Sequence, residues 1–326
     1  MRNHIIIGDS FNPWRNLAVE ALLFDALAPD EAVFYLWQNQ NTVVIGRHQN
    51  AWKECRVQLL EAEGGRLARR SSGGGAVFHD LGNLNFTFLL PRENYDVHRQ
   101  LGVIRRAVAE FGIEAAFTGR NDLVVADTGA KFSGNAFRFS RAVGLHHGTL
   151  LADVDMDKLG RYLAPGRDKL RAKGIESVRA RVCNLRSLNP TLDIPALTEA
   201  LERAFEAEYG PAERRSVSDL DPARLAALEE EYASWDFRLG KALPFDATLS
   251  RRFPWGGVTL ELSLREGAVT DARAWSDAMD EELIGRLAPA LRGAKYRNDA
   301  LAAAVRALGH PQADELAAWL LEEELG

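Results

Sequence analysis

The sequence has few of the residues that mark metal or disulfide sites. Its 326 residues include two cysteines, Cys55 and Cys183, and neither has the partner that a CxxC pair requires. We therefore expect neither a structural zinc site nor a disulfide framework. A chain of this length buries enough apolar surface to be stable without such crosslinks.

The sequence also lacks excess positive charge and long apolar runs. Its formal net charge of -6 argues against general affinity for nucleic acids or anionic membranes. The N-terminal apolar run Ile5–Ile7 is too short for a signal peptide, and no stretch is long enough to span a bilayer. We expect a cytoplasmic protein with neither nucleic-acid nor membrane partners.

Hydrophobic periodicity predicts helices and strands in alternation, which is typical of a mixed α/β fold. Asn12 and Pro13 predict a helix start, with Asn12 as the N-cap. The later predicted helices are Ala51–Glu63, Val97–Phe111, Met156–Leu163, Ile194–Tyr209, Pro222–Tyr232, Glu281–Leu291 and Asn298–Leu308. The predicted strands are Val33–Trp37, Thr42–Ile45, Leu84–Leu90, Leu123–Ala126, Lys131–Phe137, Leu145–Leu151, Val258–Leu264 and Val269–Trp275.

Two stretches interrupt this pattern. Pro165–Asn189 has little periodicity and many basic residues, and long irregular segments of this kind usually carry function. The turn-rich stretch around Gly240 and Pro244 indicates a domain boundary near residue 245. We therefore predict a catalytic domain over 1–245 and a small α+β domain over 246–326.

The densest local signal is the glycine-rich segment Arg69–Asp80. Its three consecutive glycines permit positive φ and close approach to a ligand, and Arg69 and Arg70 add charge that suits a phosphate. A strand, a flexible turn and a second strand would give the same pattern without a ligand. The segment is neither a Walker A loop nor a GxGxxG motif.

With its neighbours this segment resembles a known family. The sequence RRSSGGGAVFHDLGNLNFTF, residues 69–88, is similar to the signature of bacterial A-type lipoate–protein ligases. Further motifs of that family follow the family's order: Asp9–Glu20, Thr42–Glu54, Gly119–Val124, Lys131–Arg138, His146–Leu151 and Lys173–Leu185. The resemblance is dense to about residue 186 and looser afterwards.

This resemblance implies a biotin/lipoate ligase-like catalytic core, related to class II synthetases, with a C-terminal accessory domain. It implies an enzyme that activates lipoate with ATP and Mg²⁺ as lipoyl-AMP. The lipoyl group then passes to a lysine of lipoyl domains in 2-oxoacid dehydrogenase E2 subunits or in the glycine cleavage H protein. The family also implies a monomer.

The resemblance also places functional residues. Lys131 matches the family's essential lysine, which touches both the nucleotide phosphate and the lipoyl carbonyl, and Asp122 is the candidate magnesium ligand. The positions implied for ATP and adenylate are Arg70, Ser72, Gly75, Ala76, Val77, Phe78, Asn121, Asp122, Lys131, Gly174, Val178 and Arg179. We expect Lys131 to stabilise developing negative charge and not to act as a covalent nucleophile.

Lipoate requires an apolar slot for its chain and dithiolane ring. The candidate slot residues are Trp37, Val44, Gly75, Phe78, His79, Lys131 and His147, although Trp37 and Val44 could equally be plain core. His146 and His147 are adjacent in a predicted strand, so we expect their side chains on opposite faces, one in the core and one at the site.

Three other functions remain open. Cys183 could be the nucleophile of an ATP-independent acyltransferase that uses octanoyl carrier protein, as related octanoyltransferases do. The chain could accept only preformed lipoyl-AMP, or it could bind lipoate without turnover. A biotin ligase is disfavoured because its GRGRxGR-type loop is absent.

Overall fold

The protein forms two compact units. A computed structural model describes residues 1–118, 122–163, 182–239, 246–265 and 267–323. The first unit contains residues 1–45, 51–71 and 76–238, and the second contains residues 46–50, 72–75 and 239–326. The predicted boundary near residue 245 stays a prediction.

A large mixed sheet dominates the first unit. Its strands are β1 (Arg2–Ile7), β2 (Glu31–Trp37), β6 (Asn83–Pro91), β7 (Ala115–Thr118), β8 (Asp122–Val125), β9 (Lys131–Phe139), β10 (Val143–Leu151) and β11 (Ala212–Arg215). They lie in the order β11-β1-β2-β6-β10-β9-β8-β7. Strand β1 is parallel to β11 and to β2, whereas the other pairings are antiparallel. The mixed α/β class is thus confirmed.

Helices cover both faces of this sheet. Those of the first unit are α1 (Pro13–Ala26), α2 (Ala51–Glu54), α3 (Val57–Ala62), α4 (Val97–Ala109), α5 (Met156–Tyr162), α6 (Ile194–Tyr209), α7 (Pro222–Ala233) and α8 (Trp235–Leu239). One core joins α4 and α6 to the sheet, and the other joins α1 to the opposite face.

Strand β6 shows how the two faces differ. Its even-numbered residues from Leu84 to Leu90 enter the core beneath α4 and α6. Its odd-numbered residues therefore face α1, since strand side chains alternate, and Leu89 belongs to that second core. Asn83, Asn85 and Thr87 lie on this same face, so the α1 side of a buried strand is mostly polar.

The predicted start of α1 is correct. Asn12 is the N-cap and accepts a hydrogen bond from the amide of Trp14 at 3.1 Å. Leu17, Ala21 and Phe24 are buried in the core that α1 shares with the large sheet.

A small sheet flanks the glycine-rich segment. Its central strand β3 (Thr42–Ile45) is parallel to β4 (Arg66–Arg69) and antiparallel to β5 (Val77–His79). The chain therefore leaves one edge of β3 and returns to the other, with the glycines between.

The second unit is a three-stranded antiparallel sheet packed against helices. It contains β12 (Ala247–Phe253), β13 (Gly256–Arg265), β14 (Ala268–Ser276), α9 (Glu281–Leu291), α10 (Asn298–Arg306) and α11 (Pro311–Glu322). The predicted hairpin corresponds to β13 and β14, where Gly267 adopts a φ of +72°. Leu262, Leu287, Leu316 and Trp319 belong to its core.

One predicted helix is wrong. Residues 51–63 form two short helices, α2 and α3, because Cys55 forms a β-bridge with Leu163 and the Arg56 amide bonds to the carbonyl of Tyr162. Strands β1, β7, β11 and β12 and helices α8 and α11 were not predicted, and strands β4 and β5 were foreseen only in the alternative interpretation of the glycine-rich segment. Most of these strands are short and two are rich in charge, so they lack clear alternation.

In the part of the chain that the structure describes, no helix combines the length and apolar character needed to cross a bilayer.

Replacing Gly82 with alanine should destabilise the first unit. A Cβ at Gly82 would lie 2.0 Å from the carbonyl oxygen of Asp153, which is backbone and cannot move aside easily. We expect a loss of about 2 kcal/mol or more in the free energy of unfolding, measured by urea denaturation. The control is Gly102→Ala in α4, where an added Cβ meets nothing within 4 Å. That change should stabilise by about 0.5–1 kcal/mol, and equal losses in both variants would contradict the prediction.

Candidate functional site

The main chain holds both ends of the glycine-rich segment. The amide of Arg70 bonds to the carbonyl of Ile45 at 3.0 Å, and Val77 pairs with Val44. A strand–turn–strand arrangement is therefore present, with β4 before the glycines in the sequence and β5 after them.

Residues 72–75 themselves pack within the second unit. The carbonyl of Ser72 accepts a hydrogen bond from the amide of Arg47 at 2.8 Å. Gly74 has a φ of +89°, and its amide bonds to the carbonyl of Ala278 at 2.9 Å. A Cβ at Gly73 would lie 2.5 Å from that carbonyl oxygen, whereas one at Gly75 would meet nothing within 4 Å. Glycine is thus required for packing at Gly73 and for conformation at Gly74.

The two arginines before the glycines have different surroundings. Arg69 donates from Nε and Nη2 to the carbonyl oxygens of Phe237 and Arg238, at 2.9 and 2.7 Å. Those carbonyls lie at the C-terminal end of α8, where a cation is favourable. Arg69 is thus bound to the end of α8, and its suggested interaction with a phosphate stays a prediction.

Arg70 lies in the interior of the first unit. Its Nη1 donates to the carbonyl of Val44 at 3.4 Å. Burial lowers the pKa of Arg70 to about 10, and the carboxylate of Glu20 opposes that shift. The guanidinium is therefore charged at neutral pH in a region with little water, where it would attract an anion strongly.

Strand alternation separates the slot residues predicted on β3 and β5. Val44 and Val77 pair across the strands and join the α1 core, and the pair Thr42 and His79 faces the same side. Phe78 pairs with Val43 on the other side and contacts Tyr162, with ring centroids 5.6 Å apart. Phe78 and Val44 therefore do not line one slot. Because the side chains of Val77 and Phe78 point to opposite sides, a nucleotide that contacts Ala76, Val77 and Phe78 together would contact their backbone.

The buried carboxylate of Glu20 fixes several side chains on the α1 face of the large sheet. Glu20, 1% exposed, accepts hydrogen bonds from His147 Nδ1 and Thr87 Oγ1, each at 2.7 Å. Thr87 Oγ1 in turn accepts a hydrogen bond from Trp37 Nε1 at 3.1 Å. Two predicted slot residues, Trp37 and His147, are thus fixed through one acid that the sequence analysis did not select. Its position between Leu17 and Ala21 on the apolar stripe of α1 was the available signal.

His79 is a neutral, buried imidazole. Burial, and then the charges of Arg70 and His147, lower its pKa to about 3. The Asn39 amide donates to His79 Nδ1 at 3.1 Å, which places the ring proton on Nε2. Within the described residues that Nε2 has no hydrogen-bond partner, so it is a donor left for a ligand.

The two adjacent histidines of β10 face opposite sides, as predicted. His147 bonds to Glu20 on the α1 side, whereas His146 lies 2.8 Å from the side-chain oxygens of Gln100 and Asn135. Burial lowers the pKa of His146 to about 3. His146 is therefore a core residue of the opposite face.

Lys131 begins β9 and forms an ion pair with Asp122 on β8. The Nζ atom lies 2.7 Å from Asp122 Oδ1, and about a third of each side chain is exposed. The Lys131 carbonyl accepts a hydrogen bond from the amide of Cys183 at 2.9 Å. Lys131 is thus fixed at its backbone, while its ammonium remains accessible.

Cross-strand register relates Lys131 to the slot. A Cβ at Gly134 would lie 3.0 Å from Lys131 Nζ and 3.9 Å from Thr149 Oγ1. On the α1 face, Thr149 pairs with Asn85 and Asn85 pairs with Trp37. One row of side chains therefore runs across the sheet from Trp37 to the region beside the Lys131 ammonium.

Some expected residues cannot be placed. Asn121, Gly174, Val178 and Arg179 lie outside the described residues. Among the described residues no cluster of three or more His, Cys, Asp or Glu side chains could hold a metal ion. A metal at Asp122 would therefore not be held by His, Cys, Asp and Glu side chains of the described residues alone.

Comparison with known proteins gives matches to both parts of the chain. Residues 12–206 match the family model described as the lipoyl protein ligase A/B catalytic domain. Residues 242–320 match the model described as the bacterial lipoate protein ligase C-terminus.

Individual relatives agree with these matches. A lipoate-protein ligase A of Psychrobacter cryohalolentis is 42% identical, with 100% of both chains covered. The crystal structure of P. falciparum LipL1 in complex with lipoate has a TM-score of 0.87 at 28% identity, covering 98% of this chain and 100% of that one. A lipoate-protein ligase A bound with ATP shares the fold, with a TM-score of 0.63 at 22% identity over 74% of this chain and 99% of that one. The expected fold is confirmed.

The buried histidines should make stability depend on pH. In the unfolded chain a histidine takes up a proton near pH 6.5, whereas His79 and His146 resist protonation to about pH 3. Stability is therefore fully present above pH 6.5 and falls as the pH drops from 6.5 toward 3. Between pH 6 and 5, His79→Gln should reduce the slope of unfolding free energy against pH by about 1 kcal/mol per unit.

Urea denaturation at pH 7, 6 and 5 measures this slope. The control is Val77→Ala on the same strand, which removes packing without removing a titrating group. It should shift stability equally at each pH. A slope in His79→Gln equal to that of the unchanged protein would refute the assignment of a neutral imidazole.

Proposed function

Because the chain belongs to the lipoyl protein ligase A/B family and is a ligase, we propose that it attaches lipoate to proteins in two steps. In the first, the lipoate carboxylate attacks the α-phosphate of ATP, forming lipoyl-AMP and releasing pyrophosphate. In the second, the amine of an acceptor lysine attacks the acyl carbonyl and AMP departs. The observation that carries the proposal is the row of side chains from Trp37 to Lys131.

The charges near this row suit the first step. Attack on the α-phosphate builds negative charge, which fixed cations stabilise most where water is excluded. Arg70 supplies a buried guanidinium, and Lys131 supplies a partly exposed ammonium at one end of the row. The glycine-rich amides of residues 75–78 are proposed to bind the nucleotide.

The second step uses Lys131 again. As the amine attacks, the carbonyl oxygen becomes negative, and the Lys131 ammonium is proposed to stabilise it and the departing phosphate. An acceptor lysine with an ordinary pKa of about 10.4 must lose a proton before or during attack. The AMP leaves with the electrons of the broken carbon–oxygen bond.

Magnesium is proposed to bind at Asp122. A single carboxylate, with the remaining ligands from phosphate and water, is the usual arrangement for nucleotide-bound Mg²⁺, and the partly exposed carboxylate of Asp122 fits it. When bound, the ion would offset charge on the phosphates. Asp122 would then exchange its contact with Lys131 for one with the metal, which leaves the ammonium for the substrate.

The acceptors are proposed to be lipoyl domains of 2-oxoacid dehydrogenase E2 subunits and of the glycine cleavage H protein, modified by a cytoplasmic monomer. We also propose that residues 246–326 form an accessory domain that takes part in activation and transfer. The match of residues 242–320 to a bacterial lipoate ligase C-terminus supports this division. The lipoate in the P. falciparum relative supports the substrate.

The surroundings of Cys183 favour the ligase over an acyltransferase. Burial raises the pKa of its thiol, and its Sγ lies 3.8 Å from the carbonyl oxygen of Ala130. A cysteine nucleophile needs a lowered pKa or an adjacent base, and the contacts that Cys183 makes within the described residues supply neither.

Lys131→Ala should abolish most activity while leaving the fold intact. Lipoate-dependent release of pyrophosphate from ATP should fall by about 100-fold or more, the usual cost of removing one transition-state donor. Transfer from supplied lipoyl-AMP to an apo lipoyl domain should also slow. Lys158→Ala, which removes an exposed lysine, is the control and should match the unchanged protein. Pyrophosphate release that persists in Lys131→Ala would remove Lys131 from the activation step.

Cys183→Ser should retain lipoate-dependent pyrophosphate release and transfer, within about twofold, because we assign no covalent step to the thiol. The same variant is assayed with octanoyl carrier protein in the absence of ATP. Loss of transfer in Cys183→Ser, together with ATP-independent transfer by the unchanged protein, would replace the ligase proposal with the acyltransferase.

A further inference from the structure

Two adjacent amides on β6 are buried without full hydrogen bonding. Asn83 and Asn85 are 0% and 2% exposed, and Asn83 Nδ2 donates to Asn85 Oδ1 at 3.0 Å. Among the described residues, Asn83 Oδ1 and Asn85 Nδ2 have no hydrogen-bond partner. Turning both amides would exchange the free atoms, but it would still leave one donor and one acceptor unpaired.

Unpaired buried polar groups are costly and uncommon, and they often mark the place of a water or ligand. Asn83 and Asn85 lie on the α1 face of β6, and Asn85 pairs with Trp37 on one side and Thr149 on the other. His79 Nε2, also on the α1 side, is another buried atom without a partner in the described part of the chain.

The row determines the order in which the Lys131 ammonium, the Asn85 amide and the Trp37 indole would lie along a bound substrate. Neighbouring strands lie about 4.8 Å apart, so Asn85 is about one strand spacing beyond Thr149 and Trp37 about two. The Lys131 ammonium lies near Thr149, across the vacant Cβ position of Gly134. A fatty acid whose carboxyl group is at Lys131 therefore extends its far end toward Asn85 and Trp37.

We propose that Asn85 determines which acyl substrate the slot accepts, by donating its amide N–H to a sulfur of the dithiolane ring. This inference rests on the proposed function, which places the lipoate carboxyl at Lys131. Asn83 is the positioning residue, because its contact with Asn85 orients the second amide. Octanoate has the same chain length but carries only hydrogen on the carbons that bear the sulfurs in lipoate.

The preference for lipoate arises mainly because octanoate binds poorly. Sulfur is a weak acceptor, so the contact with lipoate is modest. Octanoate fills the slot but offers no acceptor, which leaves the buried amide donor unpaired. Sites built around a hydrogen bond discriminate strongly against analogues that lack it.

The test is calorimetric titration of the full chain with lipoate and with octanoate, without ATP. The ratio of the octanoate Kd to the lipoate Kd is compared between the unchanged protein and Asn85→Leu. We expect Asn85→Leu to lower this ratio about tenfold. Asn83→Leu should lower it less, because the Asn85 donor remains. Thermal unfolding provides a second readout, in which lipoate should raise the Tm of Asn85→Leu less than that of the unchanged protein.

The matched control is Gln100→Leu. Gln100 is also a fully buried amide, but it contacts His146 on the opposite face of the sheet. Its replacement should leave the ratio unchanged. An equal ratio in Asn85→Leu and the unchanged protein would overturn the role of Asn85 while leaving the ligase proposal intact. Absence of lipoate binding by the unchanged protein would instead defeat the proposed function.

Discussion

The buried carboxylate of Glu20 is the interaction on which the α1 face depends. It joins a helix to two strands by accepting hydrogen bonds from Thr87 and His147, and through Thr87 it orients the indole of Trp37. A charge in this position is costly to bury unless hydrogen bonds satisfy it. The partners therefore have to be in place together, which makes α1, β2, β6 and β10 one cooperative arrangement.

That arrangement explains why a polar row can cross an otherwise apolar sheet. Each strand supplies alternate side chains to each face, so β6 buries Phe86 and Phe88 on one side and Asn85 and Thr87 on the other. The face packed against α4 and α6 supplies stability through apolar contacts. The other face holds the amides of Asn83 and Asn85 and the imidazole of His147, with the Lys131 ammonium at one end of the row.

Much of this could be predicted from the sequence, and the exceptions have physical reasons. The helix start at Asn12, the helix Ile194–Tyr209 and the hairpin after β13 followed from capping, periodicity and turn residues. The division of His146 and His147 between two faces followed from strand alternation. The break between α2 and α3 could not be predicted, because it depends on a bridge to Leu163, more than a hundred residues away.

The candidate site likewise contains residues that the sequence selected and residues that it did not. The resemblance selected Lys131, Arg70 and His79 by position, but Glu20, Thr87 and Asn85 acquire their meaning only from cross-strand register. Phe78 is the instructive case, since it stands beside His79 in sequence yet packs against Tyr162 on the other side of its sheet. The order of residues in a motif does not show which side chains of a strand face one environment and which face the other.

The paired arginines of the glycine-rich signature carry a consequence for how such sequences diverge. One guanidinium closes the carbonyl end of α8, and its neighbour lies near Glu20 in the interior. Selection at Arg69 therefore acts through a helix that lies some 170 positions later in the chain, whereas selection at Arg70 acts through the buried face. A substitution at Arg69 would therefore have to be compensated at the end of α8, whereas one at Arg70 would have to be compensated on the buried face.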